Sequence, residues 1–284
     1  MNEIIPGHTE KPADYYTLSL KVWRKALSQS QRETLLEVGK EKVILFAQQV
    51  LKRMDDLEMA TTEPLFERIT QDDTEYINAI WCLAAPGTWL RPWKNDRYIK
   101  ATYSAWWDRH QMIASMKISE AIGRRRANLS LIESLPEKSQ KEVLRLSPPI
   151  VYNGRPDEND SLRKAINQGG YRTEFLRSKL HLIDTDRGEL FNSLDQVRSI
   201  RLPDRKLESG DRIGIVVRPG QAVRLLHFMN NLNNGFPSGV KVKIFPVRTG
   251  QEGIPAHHIQ ETCGLLYYLF TTRDAAEEPY PYEY

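Results

Sequence analysis

Apolar residues recur at Leu36, Val43, Val50 and Leu57, one every seven positions, with Phe46 and Met54 between them. That period predicts a helix with one buried stripe. Ser30 stands at its start, and Glu33 is placed to complete a capping box. "TEPLFERITQDD" reads as a short helix and a turn, and "DDTEYINAIWCLAA" as a helix stopped by Pro86-Gly87. A long helix is expected from Asn95 or Asp96 to about Gly123, because Ile99, Tyr103, Trp106, His110 and Ile113 share one face. "PEKSQKEVLRL" predicts a shorter one, opened by Pro136.

The pattern then changes. "SPPIVYNGRPDEND" holds three prolines and a glycine in fourteen residues, which marks a boundary. "DSLRKAINQGGYRTEFLRSKLHLI" predicts two short helices broken at Gly169-Gly170. "RIGIVV" is a compact apolar strand, "QAVRLLHFMNNL" a helix, and "GVKVKIFPV" an alternating strand. "IPAHHIQETCGLLYYLF" closes the series as a helix, and the last dozen residues read as a loose tail. The expectation is an α+β fold: a mainly helical N-terminal domain (1–147), a linker (148–160), a smaller α/β C-terminal domain with a strand-helix-strand unit (161–272), and an acidic, tyrosine-rich tail (273–284).

Composition narrows the setting. Two cysteines, Cys82 and Cys263, lie far apart in apolar contexts, which fits buried thiols in a reducing compartment rather than a disulfide scaffold or a cysteine zinc module. No apolar run is long enough to span a membrane, and the N-terminus lacks a basic leader before an apolar stretch. A cytoplasmic protein without a membrane partner is expected. The net charge is only +3, but it is segregated. Acidic residues outnumber basic ones fourteen to ten up to Glu75, whereas Arg91 to Arg126 carries nine basic residues against Asp96, Asp108 and Glu120. Such segregation bears on partners rather than on fold.

Candidate chemistry follows the charge. The run "TWLRPWKNDRYIKATYSAWW" holds four of the six tryptophans. Rings that stack on bases beside cations that meet phosphates are the means by which single strands are held. Trp89, Trp93, Arg91, Lys94, Arg97 and Lys100 have that chemistry, while Trp106 falls on the stripe of a core helix. Arg124, Arg125 and Arg126 are either phosphate contacts or cations answering a helix dipole. Arg163, Lys164, Arg172 and Arg177 extend the basic track into the second domain. In "VVRPGQAVR" a strand runs through Gly220 into a helix N-terminus, where Arg218 and Arg224 offer a weak phosphate site or an ordinary turn. In "AHHIQE", His257 and His258 stand four and three positions from Glu261, a spacing that suits a shared proton or metal but equally a polar helix surface.

No triad or activated nucleophile is spelled out, so catalysis is less expected than binding, and no cofactor or metal is expected. The leading expectation is a non-enzymatic nucleic-acid-binding protein, for DNA or RNA, within a larger intracellular assembly. One alternative is a scaffold that binds other chains or itself, through the acidic N-terminal region and "PYPYEY". The other is an enzyme acting on a phosphorylated or nucleic-acid substrate in the C-terminal α/β domain.

Overall fold

The stripe of Val43, Val50 and Leu57 lies on a helix and is fully buried. The computed structural model describes residues 29–64, 67–83, 89–90, 99–100, 105–129, 136–154, 159–160, 162–163, 171–183, 193–233, 235–248 and 255–284. The expected first helix is divided at Gly39, whose φ of 85° suits glycine, into α1 (Gln29–Val38) and α2 (Lys40–Ala60). Thr70 and Asp73 then form a capping box that opens α3 (Gln71–Tyr76).

Here the structure departs from the expectation. Ile77 to Leu83 does not continue as a helix but forms β1 (Ala79–Cys82), buried along its whole length. A strand covered on both faces has no alternation, so its apolar run reads like a buried helix. A short hairpin of β2 (Trp89–Leu90) and β3 (Ile99–Lys100) follows, so Ile99 lies on a strand and the long helix starts later, as α4 (Ala105–Arg126). After α5 (Glu137–Leu146), the expected linker instead contains β4 (Ile150–Tyr152), which is fully buried. Next come α6 (Tyr171–Lys179), β5 (Leu180–Leu182) and α7 (Ser193–Ser199). The strand-helix-strand unit is present as β6 (Arg212–Val217), α8 (Pro219–Met229) and β7 (Lys241–Pro246). The final helix α9 (Pro255–Tyr267) runs into a π-helical turn (Tyr268–Thr272). The tail is not loose: it ends in β8 (Tyr282–Glu283), and Tyr280 is buried, its hydroxyl donating to the carbonyls of Pro237 and Val240.

Six strands form one parallel sheet in the order β5-β4-β1-β6-β7-β8. Strands from both sides of the expected boundary therefore pair with each other, with β1 flanked by β4 and β6. The mixed α/β character is as expected, but a helical unit followed by a separate sheet does not describe the pairing. Side chains alternate between two cores. Ala79, Trp81, Ile213, Ile215 and Val217 face α2, α7, α8 and α9, while Ile80, Cys82, Ile150 and Val216 face α4 and α6. The result is three layers, helix on sheet on helix. Trp81 is wholly buried, and its indole N–H donates to Asn153 Oδ1 at 2.8 Å, as a buried ring nitrogen requires. Each large side chain so covered stabilises the fold by about 1.5–3 kcal/mol relative to exposure.

Gly123 is where α4 meets the end of α5. A Cβ there would stand 2.1 Å from Ser147 Oγ and 2.6 Å from the Val143 carbonyl oxygen. In an open helix, Gly→Ala stabilises by about 0.5–1 kcal/mol. At this contact Gly123→Ala is expected to destabilise by about 1–3 kcal/mol through overpacking. Thermal unfolding decides between them by sign alone, and a raised midpoint would mean that the two helices do not meet as closely as described.

Candidate functional site

In chain order, the sheet winds outward from β1 to β4 and β5, then returns to β6 on the other side of β1 and continues to β7 and β8. Renumbered, that is the doubly wound order 3-2-1-4-5-6, with its switch point between β1 and β6. At such a point the connections leave on opposite faces of the sheet, and their divergence opens a crevice at the carboxyl ends of the strands. Here α4 packs on one face and α8 on the other.

The segment leaving β6 is "RPG". Arg218 has extended backbone (φ −74°, ψ 149°) before the first turn of α8, and Pro219 occupies the favoured start of that helix. Gly220 has a specific reason to lack a side chain, because a Cβ there would lie 2.9 Å from Glu261 Cγ. Glu261 comes from the first half of α9 and takes two guanidinium groups at once. Arg218 Nη2 is 2.9 Å from Oε1, and Arg224 Nη1 is 3.0 Å from Oε2. Arg224 also donates to Ser193 Oγ at 3.0 Å, reaching the start of α7. Nearby on α9, His258 Nε2 lies 2.6 Å from Glu58 Oε1 of α2, both side chains being buried. Buried ionic groups are rare unless paired, and a cluster of them at a sheet's carboxyl edge is a common mark of a functional site.

Two other buried polar groups are less satisfied. Arg68 is buried and donates from Nη2 to the carbonyl of Pro246, at the carboxyl end of β7. Its Nε and Nη1 have no hydrogen-bond partner among the described residues, and burial pulls its pKa down. Gln111, in the second turn of α4, is fully buried with neither amide atom partnered among the described residues. Leaving such groups unpaired costs about 1–3 kcal/mol each.

Compared with protein-family models, curated proteins and solved structures, the chain matches none. The assignment of a site therefore rests on this geometry.

The candidate residues from the sequence fall into separate groups. Trp89 and Lys100 are direct partners across the β2–β3 hairpin, which leaves the carboxyl end of β1. Arg91, Trp93, Lys94 and Arg97 lie outside the described residues, as do the side chains of Trp89, Lys100, Trp106, Trp107 and His110. The arginine triplet is used within the chain. Arg124 pairs with Glu120, and Arg125 donates to the Ile69 carbonyl. Arg126 donates to the carbonyls of Thr74, Ile77 and Leu146, tying α4 to the end of α3 and to α5. Arg126 thus satisfies carbonyls near the ends of α3 and α5, and the hairpin and the "RPG" turn remain as candidate ligand contacts. Arg163 and Arg177 are exposed near β5, away from the crevice, whereas Lys164 and the side chain of Arg172 lie outside the described residues.

The histidine–glutamate spacing led to the wrong partners. His258 pairs with Glu58, and Glu261 pairs with Arg218 at the start of α8 and Arg224 within it. No metal-ligating group of three occurs among the described residues. Sequence reasoning missed Glu58, Arg68, Gln111 and Ser193, since a single buried polar residue within an apolar or helical segment carries no spacing signal. Both cysteines are buried, neither in a disulfide, and no described helix is long and apolar enough to cross a membrane.

Proposed function

We propose that this chain binds a phosphate-bearing nucleotide in the crevice between the carboxyl ends of β1 and β6. One observation carries the reading. The two segments with phosphate or base chemistry in the sequence, the tryptophan- and arginine-rich run and the "RPG" turn, leave the two strands that flank the switch point. Open sheets of this order hold nucleotides there, with phosphate near a helix N-terminus. The link from fold to ligand is analogy, and the residues add chemistry to it. Trp89 and Lys100 are backbone partners in the hairpin, an aromatic residue of the kind that stacks on bases beside a cation of the kind that meets phosphate. Arg68 and Gln111 keep buried polar atoms without a hydrogen-bond partner among the described residues, and a polar ligand within reach would supply one. The Arg218–Glu261–Arg224 cluster holds the α8 turn in place.

A second reading takes the nucleotide as one unit of a nucleic-acid strand, favoured by the same pairing of Trp89 with Lys100. The scaffold alternative is weakened at one point, because the tyrosine-rich tail docks within its own chain through Tyr280 and β8.

The test is a titration with adenosine 5′-monophosphate, adenosine, inorganic phosphate and a single-stranded oligonucleotide, read by tryptophan fluorescence and calorimetry. The mononucleotide is expected to bind more tightly than adenosine or phosphate alone. A Trp89→Leu/Lys100→Ala variant should lose about tenfold or more, equivalent to about 1.4 kcal/mol, with an unchanged melting temperature. Oligonucleotide binding that is much tighter and weakens log-linearly with salt would transfer the site to nucleic acid. Equal affinity of wild type and variant for every ligand would remove the crevice reading altogether.

A further inference from the structure

Residues 274–284 dock along the body of the chain in the manner of a bound peptide. Their backbone extends the sheet, with Tyr282 and Glu283 of β8 beside Val242 and Lys243 of β7. The N–H groups of Ala276 and Tyr280 donate to the carbonyls of His227 and Leu226, at 3.0 and 2.8 Å. Tyr280 is the anchor: it is buried, and its ring meets Phe236 edge-on with centroids 5.8 Å apart. Charge sets the register. Each of the four acidic residues of the tail meets a cation of the body. Asp274 pairs with Arg198 of α7, Glu277 and Glu278 with Lys42 and Arg53 of α2, and Glu283 with Arg212 of β6. Surface pairs add little affinity, but four in one register select this segment and its direction.

The tail is joined to the π-helical turn by Arg273, which is held in the left-handed region (φ 58°, ψ 25°). A residue with a Cβ takes that conformation at a cost. Beyond this joint the tail is an edge element, so lifting it away leaves the pairing from β5 to β7 intact. We propose that two copies of this chain exchange tails, each laying residues 274–284 into the groove between α2, α8 and β7 of the other. Docking within one chain and docking between two use the same contacts, so the exchanged dimer gives up none of them. It also frees Arg273 from the left-handed conformation in both chains. The short connection favours docking within one chain, which makes the exchange depend on concentration. The tail pairs with the first half of β7, whereas the crevice lies at the carboxyl ends of β1 and β6. The exchange is therefore independent of the nucleotide site.

Light scattering on the full chain should show a dimer whose share rises with protein concentration. Arg273 is exposed, so its replacement acts on the joint rather than on the core. Arg273→Val, which suits a positive φ poorly, should lower the dimer dissociation constant about tenfold or more. Arg273→Gly, which suits it well, should raise the constant by a similar factor. Isotopically heavy and light chains would then be mixed, equilibrated and treated with a carbodiimide, which joins a lysine to a carboxylate in contact with it. In an exchanged dimer the Lys42–Glu277 link joins a heavy peptide to a light one, whereas in a closed chain both ends carry the same label. Mixed-label links in the dimer, more abundant in Arg273→Val than in Arg273→Gly, are the expected result. Three outcomes would overturn the proposal: a monomer at every concentration in Arg273→Val, equal dimer shares in the two variants, or a dimer whose Lys42–Glu277 links all lie within one label.

Discussion

Asp73→Asn is expected to lower the stability of the fold by about 3–5 kcal/mol, the usual consequence of removing one partner from a buried ion pair. The Asp73 carboxylate is fully buried and receives several donors. Arg212 Nη2 of β6 lies 3.0 Å from Oδ1. Lys243 Nζ of β7 lies 3.5 Å from Oδ2, which also accepts the Thr70 backbone N–H at 2.8 Å. Both cations are themselves buried, so an asparagine would take the counter-ion from Lys243 and leave Arg212 only its pair with the exposed Glu283. Urea unfolding should give a much lower midpoint with a similar slope. Glu283 supplies the control. It also pairs with Arg212, but its side chain is 58% exposed, so Glu283→Gln should cost less than about 1 kcal/mol. If the two variants unfolded at the same urea concentration, the buried carboxylate would not be the hub that ties α3 to β6 and β7.

Asp73 also illustrates how far the chain could be read without its structure. Its place at a helix end was legible, and the capping box with Thr70 is a local, short-range pattern. Its second role was not, because Arg212 is 139 positions away and no sequence period links them. Glu261 repeats the lesson: a helical spacing offered His257 and His258 as partners, while burial selected Arg218 and Arg224. The fold divides in the same way. Alternation in "GVKVKIFPV" revealed β7, and the compact run "RIGIVV" revealed β6, since turn signals frame both. β1 and β4 lie at the centre of a parallel sheet, and there an apolar run or a proline-flanked tripeptide looks like a helix or a linker. Missing those two strands hid the switch point, although both segments that emerge beside it had been marked on their own chemistry. β8 was hidden by composition, as "PYPYEY" is acidic and proline-rich and becomes a strand only because β7 leaves an edge for it.

Acidification provides the second large effect, and it centres on His227. This ring is fully buried on α8 and packs edge-on against Phe46, with centroids 5.3 Å apart. Its Nδ1 lies 2.9 Å from the Ala276 carbonyl, so that nitrogen carries the proton and donates. Its Nε2 lies 3.1 Å from Arg53 Nη1, which can only donate, so Nε2 must accept. The neutral tautomer is thereby fixed, and a second proton would meet a guanidinium. Burial, and secondarily the charge of Arg53, push the pKa from 6.5 down to about 4. Between these values the unfolded chain holds more protons than the folded one, so stability rises with pH across that window. The full stability is present above pH 6.5 and falls as the pH drops, the loss from this residue reaching about 3 kcal/mol below pH 4. Carboxylates titrate at the lower end, so the informative interval is pH 8 to pH 5, where His227 alone should account for about 2 kcal/mol. His227→Gln keeps a polar group between Arg53 and Ala276 but does not titrate. Its urea midpoints are expected to be lower than wild type at pH 8 and to change much less on going to pH 5. A variant with the wild-type pH slope would show that other groups set the acid sensitivity. The tail that carries Ala276 would then be held by Tyr280 and β8 without a proton-linked contact to α8.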